Sequence, residues 1–196
     1  MEARRSKTMF TKENLIQTLI IYQAKIETSK EYLSQLDTPI GDGDHGENMS
    51  YGMSVVIERL EAKKPTILID AFKIVALALL SYTCGPLYST AMLKMANEAA
   101  LTTKALPLLD AGLAGIERRS NSQPGEKTMV DVWAPVLATL KIGTLTKEQL
   151  AVFAEHTKEL FARKGRASYI GARSLEYIDL GAMSCLEAFI EAGVFI

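Results

Sequence analysis

Apolar residues recur along this chain at the three- and four-residue spacing of helices that bury one face. In residues 12–36, for example, Leu15, Leu19, Tyr22 and Ile26 fall on one stripe. The same spacing predicts further helices at about residues 47–63, 67–82, 86–102, 107–119, 127–141, 147–164 and 179–192. No segment shows the sustained alternation of a half-buried strand. The predicted fold class is therefore all-α, a bundle of about eight antiparallel up-and-down helices.

The chain is expected to form one domain. Its 196 residues are enough for one sizeable core, so we expect a single domain over residues 1–196, with residues 1–10 as a flexible tail. Pro135 lies inside the sixth predicted helix, where its missing amide hydrogen predicts a kink or a restart. The connection at residues 163–179 is the longest one predicted, and long ordered loops in compact domains are often functional.

Composition excludes several classes of partner. Charged residues make up 23% of the chain and the formal net charge is −1, so we expect neither nucleic acid nor a membrane as partner. The longest uninterrupted apolar run, IVALALL, is far shorter than a membrane span. The two cysteines form neither a disulfide framework nor a metal-ligand spacing, which is typical of the cytoplasm.

The segment DTPIGDGDHGENMS, residues 37–50, concentrates Asp37, Asp42 and Asp44 among glycines. Like charges so close together repel one another unless a cation offsets them. A calcium EF-hand does not fit, because Met53 falls where counting from Asp42 requires a glutamate. Carboxylates in a short loop suit magnesium, and the start of the next helix offers free amides to a phosphate. An N-cap with a solvated turn is the alternative.

Three other loops contain polar or basic residues that could bind a ligand: TCGPLYS at 83–89, SQPGEKTMVD at 122–131, and the connection at 163–179 with its arginines. Each alone is equally typical of an ordinary turn or of a solvated basic loop. Together with the acidic loop, however, they follow the first, third, fifth and seventh predicted helices. Connections in an up-and-down bundle alternate between its two ends. All four loops are therefore predicted to lie at the same end and to build one site.

These four motifs, taken together, resemble the L-subunit family of dihydroxyacetone kinases. LDTPIGDGDHGENM, GPLY, PGEKTMVD and KGRASYIGARS…DLGA are similar to the family's signatures and occur in its order. The resemblance covers nearly the whole chain from about residue 14. It implies a barrel of eight antiparallel helices with ADP or ATP at one end.

The resemblance also implies a set of site residues. Asp37, Asp42 and Asp44 would hold two Mg²⁺ ions that bridge the nucleotide phosphates. The residues that the resemblance places along the nucleotide are His45, Gly46, Asn48, Thr83, Cys84, Leu87, Gly125, Thr128, Met129, Arg166, Asp179, Leu180 and Gly181. No catalytic residue is assigned in this chain, because His45 belongs to the metal loop and His156 sits among polar neighbours.

The function implied is that of a kinase subunit that presents Mg-nucleotide to dihydroxyacetone bound on a separate K subunit. A separate L chain fits the branch of the family in which an M subunit of the phosphotransferase system donates the phosphoryl group. The sequence does not decide between this donor and ATP, nor whether the chain forms a homodimer. The family's closing loop is altered here at Ala172, Glu176, Tyr177 and Leu180, and its PGDK motif has Glu126. The alternative is therefore a non-catalytic relative that senses nucleotide or metal and docks on another protein.

Overall fold

The computed structural model describes residues 9–81 and 85–192, and within these ranges it contains helices and no strand. The eight α-helices are α1 (Lys12–Asp37), α2 (His45–Lys63), α3 (Leu68–Leu79), α4 (Gly85–Glu98), α5 (Ala105–Ser120), α6 (Val130–Ile142), α7 (Lys147–His156) and α8 (Leu180–Glu191). Two 3-10 helices, Thr157–Glu159 and Arg166–Ser174, lie between α7 and α8. The all-α prediction is confirmed.

The helices form a closed ring around one core. Each helix packs against the next one in the chain, and α8 packs against α1, which closes the barrel. The apolar stripe predicted on α1 faces inward, with Ile26 and Leu33 fully buried. Within the described residues, no helix is both long and apolar enough to span a bilayer. The N-terminal end of the described chain joins this ring, because the amide of Phe10 donates to the carbonyl of Thr103 at 2.7 Å.

One helix prediction is wrong in detail, and another is narrowed to one of its two alternatives. Helix α6 runs through Pro135 without a restart, between Trp133 and Val136, which are buried in the core; a kink at Pro135 stays a prediction. Helix α7 ends at His156 rather than near residue 164. The carbonyls of Thr157 and Leu160 accept hydrogen bonds from a buried lysine side chain instead of continuing the helical ladder.

Helices α1 and α2 approach each other closely where α2 begins. A Cβ atom on Gly46 would lie 1.9 Å from the carbonyl oxygen of Lys30, so only glycine fits this crossing. The amide of Gly46 donates to the side chain of Ser34 on α1 at 3.1 Å. The crossing therefore fixes the start of α2, and with it the position of the acidic loop between the two helices.

We expect Gly46→Ala to lower the free energy of unfolding by about 1–3 kcal/mol, because the added methyl group forces α1 and α2 apart. Gly143→Ala is the matched control, since a Cβ there would meet nothing within 4 Å and the backbone is extended, with φ of −167°. Urea denaturation of both variants measures the difference. Equal stability of the two would show that the crossing tolerates a side chain.

Candidate functional site

The four motif-bearing regions meet at one end of the barrel, around a cavity of about 380 Å³. The end of α1, the start of α2, the first turn of α4, the α5–α6 loop and the segment between α7 and α8 all contribute to its lining. The prediction that these loops share one end is confirmed for the residues that the structure describes.

The three aspartates of the acidic loop form one cluster. Carboxylate oxygens of Asp37, Asp42 and Asp44 lie within 4.8 Å of one another. Asp37 is buried, with 2% of its surface exposed, whereas Asp42 is exposed. Gly41 lets the backbone pass beside Asp37, because a Cβ there would lie 1.8 Å from the carboxylate oxygen. The loop therefore presents several oxygens to one point, as a divalent cation requires.

Asp37 also holds the N-terminus of α2. Its Oδ2 atom accepts hydrogen bonds from the amides of Asp44 and His45, at 3.1 and 3.2 Å. The amide of Gly46 is likewise bonded to a side chain of α1. The expectation that the first amides of α2 are free for a phosphate is therefore wrong for His45 and Gly46. Helix α1 supplies acceptors that were not apparent from the local sequence.

Asp44 occupies the N-cap position but does not act as a cap, since its side chain makes no capping hydrogen bond. Its Oδ1 atom is shielded from solvent and accepts no hydrogen bond within the described part of the chain. Arg166 Nη1 lies 3.7 Å from that oxygen and contacts the carboxylate of Asp42 more closely. The N-cap alternative thus leaves the Asp44 carboxylate unexplained, whereas a bound cation would use it.

The electrostatics of the cluster favour a cation. Burial raises the pKa of Asp37, and the nearby Asp42 acts in the same direction. Desolvation also acts to raise the pKa of Asp42, but the hydrogen bond with Asp44 and the charge of Arg166 outweigh it and lower the pKa. Two carboxylates therefore influence each other's protonation, and a positive charge placed between them relieves the repulsion.

His45 is fully buried at the start of α2 and lines the cavity. Burial lowers its pKa to about 4, and the positive charge of Arg166 acts in the same direction. The imidazole is therefore neutral near pH 7. It can serve as a hydrogen-bonding group at the cavity wall, but not as a cation that attracts phosphate.

The α5–α6 loop is organised by Asp131 in the first turn of α6. Its carboxylate accepts hydrogen bonds from the amides of Gly125 and Thr128, the latter at 2.7 Å. Between these residues, Lys127 is fully buried and adopts a left-handed backbone with φ of 61°. Lys127 lines the cavity together with Thr128 and Met129. The sequence predicted only that a helix begins at Lys127.

The structure brings most of the expected nucleotide residues to the cavity. Those that line it are His45, Leu87, Thr128, Met129, Arg166, Asp179, Leu180 and Gly181, together with the expected metal ligand Asp37. Gly46, Asn48 and Gly125 are described residues outside the lining, and Thr83 and Cys84 lie outside the described residues. Sequence reasoning missed Ile116, Ser120, Ser122, Lys127, Lys164, Gly165 and Ala167 as lining residues. Five of these residues lie inside the quoted motifs, which could have signalled them, whereas Ile116 and Ser120 lie in α5 outside any motif.

Asp179 closes the cavity at the start of α8. Its side chain accepts a hydrogen bond from the amide of Ala182 at 2.7 Å and so caps the helix. Burial raises the pKa of Asp179 to about 7, the bond from Ala182 opposes that rise, and Asp131 adds to it. The protonation of this carboxyl group therefore changes near neutral pH.

The fold and the site define a helical barrel with an acidic cluster and a polar cavity at one end. Residues 39–192 match the family model of the DAK2 domain. The chain therefore belongs to the DAK2-domain family, as the motifs indicated.

Curated relatives match over most of the chain. The PTS-dependent dihydroxyacetone kinase, ADP-binding subunit DhaL of Lactococcus lactis is 42% identical over 92% of this chain and 96% of its own length. The PEP-dependent dihydroxyacetone kinase, ADP-binding subunit DhaL of Escherichia coli is 36% identical over 81% of this chain and 85% of its own length.

A solved structure shares the fold. The dihydroxyacetone kinase from C. freundii, crystallised with AMP-PNP and Mg²⁺, superimposes with a TM-score of 0.71 at 20% identity. The similarity covers 91% of this chain and 32% of that larger one. It supports the barrel architecture.

The raised pKa of Asp179 has a consequence for stability. The group is ionised in the unfolded chain above about pH 4, its ordinary value being 3.8, but in the folded protein only above about pH 7. Its contribution to the free energy of unfolding therefore falls as pH rises from about 4 to about 7, and is constant above. Asp179→Asn removes this dependence while keeping a good N-cap residue.

Urea denaturation at pH 5 and pH 8 measures the effect. Wild type should lose more stability between these two values than Asp179→Asn, because other titrating groups act equally in both proteins. Parallel losses would show that Asp179 titrates at an ordinary pKa.

Proposed function

We propose that this chain is the nucleotide-binding subunit of a dihydroxyacetone kinase, which holds ADP or ATP with Mg²⁺ for phosphoryl transfer to dihydroxyacetone on a separate K subunit. The observation that carries the proposal is the cluster of Asp37, Asp42 and Asp44, with oxygens within 4.8 Å of one another, beside a cavity of about 380 Å³. Both occur in a chain 36–42% identical to subunits named as ADP-binding.

The residues present fit magnesium. Mg²⁺ prefers oxygen ligands, keeps several waters and bridges to phosphates. The Asp44 Oδ1 atom, shielded and without a hydrogen bond among the described residues, is suited to such a ligand role. We propose that the three carboxylates hold two ions, as the resemblance to the L-subunit family implies. When bound, magnesium neutralises phosphate charge and orients the phosphates for in-line transfer.

The chain's own residues position the nucleotide. Arg166 and Lys164 add positive charge to the cavity wall, where an arginine can grip phosphate oxygens in a bidentate manner. Leu87 and Met129 provide apolar contacts suited to a base or ribose. Since no described residue needs to react covalently, the chemistry asked of this chain is positioning and charge neutralisation.

The partner would approach the nucleotide end of the barrel. There the segment between α7 and α8 exposes aromatic side chains, with Phe161, Tyr169 and Tyr177 exposed by 45, 88 and 43%. Aromatic residues are enriched in protein interfaces. We propose that this surface docks the K subunit. We also propose that an M subunit of the phosphotransferase system donates the phosphoryl group, because the Lactococcus lactis and Escherichia coli subunits compared above are named PTS- and PEP-dependent.

A second candidate function is a regulatory relative that binds Mg-nucleotide without supporting transfer. The observation that favours it is the altered closing loop, in which Leu180 lines the cavity at a position where the resembled family has proline. Glu176 in the same loop has a left-handed backbone, with φ of 69°. Such a loop could bind nucleotide in a geometry unsuited to transfer.

Reconstitution separates the two candidates. The chain is mixed with Mg²⁺, a K subunit, dihydroxyacetone and either excess ATP or ADP with a phosphorylated M subunit, and dihydroxyacetone phosphate is assayed by NADH-coupled reduction. We expect sustained turnover with ADP and the phosphorylated M subunit, and at most one product molecule per chain with ATP alone. Sustained turnover with ATP alone would refute the assigned donor. Mg-ADP binding without product from either donor, tested with K and M subunits active alongside a known L subunit, would favour the regulatory function.

Asp42→Asn tests the metal role directly. Removing one carboxylate from a shared metal site leaves excess positive charge and an open coordination position. The variant should bind ADP at least about tenfold more weakly in magnesium, which corresponds to about 1.4 kcal/mol. Isothermal titration calorimetry provides the measurement.

Asp110→Asn is the control, because it removes a carboxylate that pairs with Lys141 at 2.8 Å and does not line the cavity. Its ADP affinity should equal that of wild type. Unchanged ADP binding in Asp42→Asn, or in wild type treated with EDTA, would contradict the metal role.

A further inference from the structure

Lys127 is a buried cation whose partners are backbone carbonyls. It has no exposed surface, and its Nζ atom donates to the carbonyls of Thr157 and Tyr177 at 2.7 Å each and of Leu160 at 3.3 Å. No carboxylate of the described residues lies within ion-pair distance of it. Three donors thus meet three acceptors, which uses the full capacity of an ammonium group.

The three carbonyls lie at the two ends of one segment. Thr157 and Leu160 precede residues 161–176, and Tyr177 follows them; we call residues 161–176 the lid. One ammonium group therefore ties both ends of the lid to the α5–α6 loop. A second hydrogen bond also joins the two ends of the lid, because the amide of Glu176 donates to the carbonyl of Lys158 at 2.9 Å.

The lid forms a wall of the cavity. The lining of the cavity includes four residues of the lid, Lys164, Gly165, Arg166 and Ala167, and it also includes Lys127. The α5–α6 loop approaches the lid directly as well, since the amide of Arg163 donates to the carbonyl of Glu126 at 3.1 Å. A change in the position of Lys127 is therefore transmitted to the cavity wall through backbone contacts.

A buried ammonium group is costly, and burial lowers the pKa of Lys127, while the charges of Asp179 and Asp131 raise it. Without this cation, the carbonyls of Leu160 and Tyr177 lose their donor, and the carbonyl of Thr157 keeps only the amide of Leu160 at 3.2 Å. A buried acceptor without a donor is costly, and here the cost falls on the segment that carries these carbonyls. The carbonyls that Lys127 binds flank the lid and do not belong to the α-helices of the barrel. The effect of losing Lys127 should therefore be local.

We propose that Lys127 is a positioning residue that holds the lid over the cavity and thereby sets the affinity for Mg-nucleotide. The inference rests on the proposed function for its ligand. Lys127 acts through the backbone of the lid, whereas the metal ligands belong to a different loop. Loss of Lys127 should thus weaken nucleotide binding without weakening binding of the metal alone, because a loosened lid withdraws Arg166 from the carboxylates of Asp42 and Asp44.

Lys127→Met tests the proposal, because methionine keeps most of the side-chain volume and removes the donors. We expect Mg-ADP to bind at least about tenfold more weakly by calorimetry, and Mn²⁺ alone to bind no more weakly than in wild type by electron paramagnetic resonance. Hydrogen exchange should accelerate more in residues 161–176 than in residues 38–44, which contact the lid through Ile40 and the aspartates. Lys158→Met is the matched control, since its Nζ pairs with Glu155 on the surface.

Lys127→Ala allows rescue of the missing group. Propylammonium supplies the three carbons and the ammonium that this variant lacks, and should restore lid protection and Mg-ADP affinity, whereas propanol should not. A purely space-filling role would respond equally to both molecules, and that result would overturn the proposal.

Other outcomes are equally decisive. Loss of the helical circular-dichroism signal in Lys127→Met would overturn the proposal, because Lys127 would then be required by the whole fold. Wild-type exchange rates in the lid would overturn it as well. If wild type itself binds no Mg-ADP, the proposed function fails, while the exchange measurement still tests whether Lys127 holds the lid.

Discussion

The site depends on one buried carboxylate, that of Asp37, which joins the end of α1 to the start of α2. A carboxylate in the last turn of a helix is unfavourable, because the helix dipole places negative charge there, and α1 has no basic residue in that turn. The amides of Asp44 and His45 offset this cost by donating to it. Asp37 therefore neutralises the positive end of α2 and fixes both ends of the acidic loop.

The acidic loop and the lid are held together by two kinds of contact. Arg166 of the lid pairs with Asp42 and Asp44, and Ile40 of the loop packs with Ala162 and Ala167 in a small core separate from that of the barrel. The apolar contact does not depend on charge, whereas the ion pair does. Neutralising the carboxylates can therefore change the position of Arg166 without separating the loop from the lid.

The sequence predicted the fold well because the barrel uses one simple pattern eight times. Each helix buries a single apolar face, so the spacing of apolar residues predicts both the presence of a helix and its approximate limits. The number of helices before each loop then predicts the end of the barrel at which that loop lies. Features that depend on distant backbone could not be predicted in this way. Helix α7 ends early because Lys127, thirty residues away, takes the carbonyls of Thr157 and Leu160. The bonds from the first amides of α2 to side chains of α1 were missed for the same reason.

Arg166 has two possible partners in the proposed function, and the structure shows one of them. Its contacts with Asp42 and Asp44 occur where both members are about half exposed, and such solvent-exposed pairs contribute little to stability. A divalent cation, with twice the charge and a fixed coordination geometry, competes effectively for the same oxygens. Arg166 would then be released on the cavity side, where the phosphates of a nucleotide would lie. In the proposed function, the weakness of this ion pair would allow one arginine to reduce repulsion among the carboxylates before the metal binds and to contact phosphate afterwards.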